Sequence, residues 1–159
     1  MNANPPGPHV LVAVSRFYED ISDQLLSGAQ QLLREQGATN EVLDVPGAFE
    51  LPAAVRFASL SGTFDGYIAL GCVIRGETSH YEYVCSESAR ALSDLAVRLQ
   101  LAVGYGILTT DTREQAWRRA SVKELNKGRD VAIACLRMVE SVSYTHLRAH
   151  ETDSYLVCR

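Results

Sequence analysis

Four short apolar runs, each followed by a stretch of helical period, limit this chain to very few architectures. Residues 10–14 (Val-Leu-Val-Ala-Val), 41–45 (Glu-Val-Leu-Asp-Val), 66–73 (Gly-Tyr-Ile-Ala-Leu-Gly-Cys-Val) and 103–109 (Val-Gly-Tyr-Gly-Ile-Leu-Thr) read as strands. After the first run, Ile21, Leu25, Ala29, Leu32 and Leu33 give a helix from about residue 20 to 36, which Gly37 stops. After the second, a helix begins near Leu51, where Pro52 is tolerated because a first-turn N–H has no helical partner. Val84, Ala91, Leu92, Leu95 and Leu99 mark a third helix, and residues 113–120 a fourth. A last helix follows Asn126-Lys127-Gly128, with Val131, Ala132, Cys135, Leu136 and Val139 on one side. Such alternation implies right-handed crossovers and a four-stranded parallel sheet covered on both faces. Ligands of such sheets gather outside the carboxyl ends of the strands.

The segment after the third run carries the most chemistry: Gly71-Cys-Val-Ile-Arg-Gly-Glu-Thr-Ser-His-Tyr-Glu82. Ser79 with Glu82 fits a capping box, so the helix is expected to begin there. Gly76, Glu77 and Thr78 then sit just ahead of the first turn and His80 within it. Free amides and the positive dipole end make such a turn an anion seat. The same dipole disfavours an imidazolium, so His80 is expected to stay neutral near pH 7 and to exchange protons. An ordinary helix start with a surface His has the same local pattern. Phe17, at the turn after the first strand, either plugs the core or stacks on a flat ring. Gly47 allows close approach to the backbone. Glu50 either accepts hydrogen bonds from hydroxyls or simply suits the helix dipole. Thr112 with Gln115 forms a second capping box. Arg118, Arg119, Lys123 and Lys127 make the following region basic, a pattern that a solvated face also produces.

At 159 residues, 47% of them hydrophobic, the chain suits a single core. A net charge of −4 without a basic block argues against nucleic acid. No apolar run approaches the ~20 residues of a membrane helix, and the N-terminus has no secretory pattern. Cys72, Cys85, Cys135 and Cys158 are scattered, as in a cytoplasmic protein with reduced thiols.

Ser15-Arg-Phe, Val45-Pro-Gly-Ala-Phe-Glu-Leu-Pro52, Leu70-Gly-Cys-Val-Ile-Arg-Gly-Glu-Thr-Ser-His-Tyr81, Gly106-Ile-Leu-Thr-Thr110, Glu114-Gln-Ala116 and Asn126-Lys-Gly128 resemble lumazine synthases, in order and spacing, over residues 9 to 140. The resemblance implies a flavodoxin-like α/β/α sandwich and the penultimate step of riboflavin biosynthesis. There 5-amino-6-(D-ribitylamino)uracil condenses with 3,4-dihydroxy-2-butanone 4-phosphate to give 6,7-dimethyl-8-ribityllumazine, phosphate and water, with no metal or organic cofactor. It implies homopentamers that sometimes build icosahedral shells, and riboflavin synthase as a partner. Carried onto matching positions, it makes Phe17 the stacking residue for the pyrimidine. Ala48, Phe49 and Glu50 hold the uracil and ribityl chain, and Cys72, Val73 and Ile74 line the ring pocket. Gly76, Glu77 and Thr78 seat the phosphate, and His80 transfers protons. Tyr105 and Arg119 come from a neighbouring subunit, Arg119 pairing with the phosphate, and Lys127 touches the ribityl chain.

Three departures stand out. Tyr18 occupies a place where the family usually has Asn, and Tyr105 one usually filled by Phe or another apolar residue. From residue 143 the sequence matches nothing in the family, so the expected organisation is a lead-in at 1–8, a domain at 9–142 and a non-native tail at 143–159. His146, His150 and Glu151 in that tail have a weakly metal-like spacing, and no metal site is expected. Two rival readings are a non-catalytic shell or ligand-binding protein on the same fold, and a receiver-type signalling module. The latter needs an acidic cluster after the first strand, which Ser15-Arg16-Phe17 does not supply.

Overall fold

The computed structural model describes residues 7–156, with side chains described for residues 7–145. Its elements follow the order β1 (His9–Ser15), α1 (Glu19–Glu35), β2 (Thr39–Val45), α2 (Leu51–Ser59), β3 (Gly66–Ile74), α3 (His80–Arg98), β4 (Val103–Thr110), α4 (Arg113–Ala120) and α5 (Lys127–Leu156). A single 3₁₀ turn, Ala48–Glu50, leads into α2. The four strands form one parallel sheet in the order β2-β1-β3-β4, with Val10 opposite Gly66 and Tyr67 opposite Val103. This is the expected flavodoxin-like arrangement, and its strand order reverses between β1 and β3.

β1 and β3 are continuous apolar runs because both of their faces are buried. Val10, Val12, Val14, Ile68 and Leu70 face a layer built from α1, α4 and α5. Leu11, Ala13, Ala69 and Ile107 face α2 and α3 through Leu51, Val55, Val84 and Leu92. Each fully buried Val, Leu or Ile side chain of this set contributes about 1.5–3 kcal/mol. β2 departs from the expectation of a sheet covered throughout. It is an edge strand, and Val42 and Leu43 remain about 40% exposed, since α1 and α2 lean toward the central strands.

Gly37 terminates α1 as expected, at φ 70°. Its N–H donates to Arg34 O and that of Ala38 to Leu33 O, which closes the helix by the Schellman pattern. The Asn126-Lys-Gly128 motif serves a close helix contact. A Cβ at Gly128 would lie 2.0 Å from Leu25 O, and one at Gly28 would lie 2.1 Å from Asn126 Oδ1. Only glycines let α1 and α5 approach so nearly.

Residues 1–6 of the lead-in lie outside the described residues. Pro8 O already accepts from Thr39 N at 2.9 Å. α5 continues past residue 143 to Leu156, and the side chains of His146, His150 and Glu151 lie outside the described residues, as does Cys158. Among the described residues no helix is long and apolar enough to cross a membrane, and no cluster of His, Cys, Asp and Glu is arranged for a metal ion.

Candidate active site

At the carboxyl ends of β1 and β3 lies a cleft of about 710 Å³, at the point where the strand order reverses. β1 delivers Phe17 and Tyr18 to one wall. Ser22 Oγ donates to Ser15 O at 2.5 Å and fastens the start of α1 to the end of the strand. Phe17 is 71% exposed, and its ring meets the Tyr18 ring edge-on, with centroids 4.9 Å apart at 74°. β2 leads into Pro46, Gly47 and the 3₁₀ turn, which places Ala48, Phe49 and Glu50 on the opposite wall. A Cβ at Gly47 would lie 2.8 Å from Glu50 Oε2, so glycine there leaves room for the carboxylate.

The floor comes from β3. Cys72, Val73 and Ile74 line it, followed by Gly76 and Thr78 and then by His80, the first residue of α3. Burial pushes the Cys72 thiol up to about 12, so this residue is an uncharged wall group. α3 begins where the sequence indicated, although the mechanism differs. Ser79 sits at φ −68°, ψ 0°, a helical rather than extended conformation, and its hydroxyl makes no capping bond. Thr78 Oγ1 instead accepts from His80 N at 3.4 Å. Glu82, the other half of the expected capping box, is drawn to Arg75, whose guanidinium holds its carboxyl below the usual range. Among the described residues the amides of Glu77, Thr78 and Ser79 have no protein acceptor, which suits them to an anion.

Of the residues singled out in the sequence, Phe17, Ala48, Phe49, Glu50, Cys72, Val73, Ile74, Gly76, Thr78 and His80 converge on this cleft. Glu77 lies in the same loop without lining it. Tyr105 lies elsewhere, on β4 beside Tyr81 and Cys85, where burial raises its phenol. Arg119 donates to Gln115 O on its own helix, and Lys127 pairs with Asp130 at the start of α5. Tyr81, Tyr83 and Val84 were not singled out as site residues, yet they line the cleft. For Tyr83 and Val84 the spacing from His80 is the available signal, since i, i+3 and i+4 share one helix face, whereas Tyr81 at i+1 carries no such signal. The second capping box forms in half: Thr112 Oγ1 accepts from Gln115 N, while Gln115 Oε1 turns to Asp111 N.

The family model described as 6,7-dimethyl-8-ribityllumazine synthase matches residues 7–143. The chain belongs to this family. Among curated relatives, a 6,7-dimethyl-8-ribityllumazine synthase of Bartonella bacilliformis is 52% identical over 134 residues, 83% of this chain and 88% of the relative. A protein of Rhodopseudomonas palustris named 6,7-dimethyl-8-ribityllumazine synthase 1 is 53% identical over 138 residues, 84% of this chain and 85% of that one. Agrobacterium fabrum contributes a third, 50% identical over 138 residues.

Proposed function

We propose that the cleft condenses 5-amino-6-(D-ribitylamino)uracil with 3,4-dihydroxy-2-butanone 4-phosphate, giving 6,7-dimethyl-8-ribityllumazine, phosphate and water. The observation that carries this reading is the placement of His80 at the first residue of α3, in one cleft with an exposed aromatic face and beside a loop whose amides at 77–79 are unengaged. The exposed Phe17 ring offers a stacking surface for the pyrimidine, and Ala48, Phe49 and Glu50 close over its polar edge and the ribityl hydroxyls. The amides at 77–79 meet the phosphate, with Thr78 Oγ1 beside them. The amine of the uracil condenses with the ketone and expels a first water, phosphate is eliminated, and ring closure of the second amine onto the remaining carbonyl expels a second water. Each step moves a proton, which a positioned imidazole is suited to do.

In this reading the active site is shared between subunits of a cytoplasmic homo-oligomer. Support comes from charge. Among the described residues that line the cleft there is no Lys or Arg, and the nearby Arg75 is held by Glu82 and Asp111. A cationic partner for the phosphate therefore comes from elsewhere: Arg119 of a neighbouring chain supplies it and Tyr105 arrives by the same route, while Lys127 touches the ribityl chain. Phe57, Leu60 and Val97 are each more than 65% exposed, apolar surface that a subunit contact would cover. The test is direct: the purified protein is incubated with both substrates, and lumazine and inorganic phosphate are measured together. Equal yields of the two support the reading, and absence of the lumazine overturns it.

A further inference from the structure

Phe17 is a poor platform by itself. With the residue 71% exposed, little of the core restrains its rotamer. What does touch it is Tyr18, one of the places where this chain departs from the usual family pattern. The Tyr18 ring packs partly against the large core cluster and meets Phe17 edge-on. From α4, Arg113 stands over the same ring at 5.9 Å, within range of a cation–π contact. Arg113 is in turn held by the Asp20 carboxylate. A chain of contacts thus runs from Asp20 through Arg113 and Tyr18 to the exposed face of Phe17.

We propose that Tyr18 is a positioning residue for the pyrimidine substrate: its ring, backed by Arg113, fixes the angle at which Phe17 presents its face. The proposal rests on the functional reading above. Stacking onto a ring already held in place costs less ordering than stacking onto a freely turning one. Loss of the edge contact therefore weakens the pyrimidine complex and leaves the phosphate seat and His80 untouched.

The experiment measures KM for each substrate, and kcat, in Tyr18→Asn, Tyr18→Leu, Tyr18→Phe, Phe17→Leu and the Phe17→Leu/Tyr18→Asn double variant. Tyr18→Asn and Tyr18→Leu should raise KM for the pyrimidine about two- to tenfold, the range of one aromatic pair. KM for the butanone phosphate and kcat should stay near wild type. Tyr18→Phe, which keeps the ring, should restore the pyrimidine KM. In the Phe17→Leu background, Tyr18→Asn should add nothing. An unchanged pyrimidine KM overturns the proposal, as does an equal rise in both KM values, or effects that add across the pair. Wild-type protein is the control that separates the two levels: if it forms no lumazine, the functional reading itself has failed. If it turns over normally while Tyr18→Asn behaves as wild type, only the positioning role falls. Should Tyr18→Leu not fold, Tyr18→Asn decides, because that residue is usual in the family at this place.

Discussion

Arg75 Nε donates to Asp111 Oδ1 at 2.9 Å while its Nη1 reaches the Glu82 carboxylate, so one guanidinium joins the ends of β3 and β4 to the first turn of α3. Its Cζ also lies 4.2 Å from the centroid of the Tyr81 ring. The loop from Gly76 to Ser79, with its unengaged amides, is suspended between these fixed points.

That staple has a pH signature. The Arg75 guanidinium holds the Glu82 carboxyl below its ordinary value, so the pair contributes stability above the unfolded carboxyl value of about 4.3. The contribution disappears as pH falls through the lowered value of the folded state. Asp20 beside Arg113 behaves in the same sense. Chemical denaturation of wild type and Glu82→Gln should show wild type more stable at pH 7 and the difference vanishing toward pH 3. A difference that grows on acidification would contradict the assignment.

His80→Ala should lower turnover by about one to three orders of magnitude with an unchanged fold, as for loss of a general acid–base group. The check is kcat at saturating substrates together with an unchanged circular dichroism spectrum.

Shared sites predict complementation. Arg119→Ala and His80→Ala should each be impaired alone, the former mainly toward the phosphorylated substrate, since a guanidinium–phosphate pair is strong and directional. Mixed and reassembled, they should recover part of the activity, because some interfaces unite an intact His80 with an intact Arg119. If native mass measurement shows mixed oligomers that stay inactive, Arg119 does not serve a neighbouring site.

Gly128→Ala should destabilise by about 1–3 kcal/mol, because the new methyl would press on Leu25 O and force α1 and α5 apart. Activity per folded molecule should survive at low temperature. Thermal melting with a turnover assay below the transition separates the two effects.

Thiol chemistry checks the burial of the sheet. Burial pushes both Cys72 and Cys135 up to about 12, so neither presents a thiolate near neutral pH. Site-resolved mass spectrometry after alkylation at pH 8 should find both unmodified in native protein and both labelled after denaturation. Rapid native labelling of Cys72 would mean an open cleft floor.

The parts of this fold that were legible in sequence are those whose causes are local. Val10 to Val14 and Gly66 to Val73 announce buried strands because both faces are covered, and Gly37 announces a helix stop because its φ is positive. Ser79 misled because a capping box assumes that its Glu is free, and Glu82 has a stronger partner in Arg75. The first two residues of β2 escape the sequence reading because Thr39 and Asn40 lie on a polar edge without an apolar run. Gly28 and Gly128 could not be read together, since they share one contact from places 100 residues apart in the chain. In the cleft, Phe17, Gly76, Thr78 and His80 followed from strand ends and a helix start. The strand reading also sets Tyr105 at the carboxyl ends, but Tyr105 pairs with Ala69 near the amino end of β4, far short of Thr110. The roles given to Arg119 and Lys127 come from family resemblance, because no local pattern carries residues of α4 or α5 to the end of β3.

The lack of a Lys or Arg among the described lining residues reaches beyond one molecule. On the proposal that a neighbour's Arg119 completes the phosphate seat, catalytic capacity would be set by how many chains have found neighbours, not by how many have been made. Specific activity would then fall on dilution below the concentration at which subunits part.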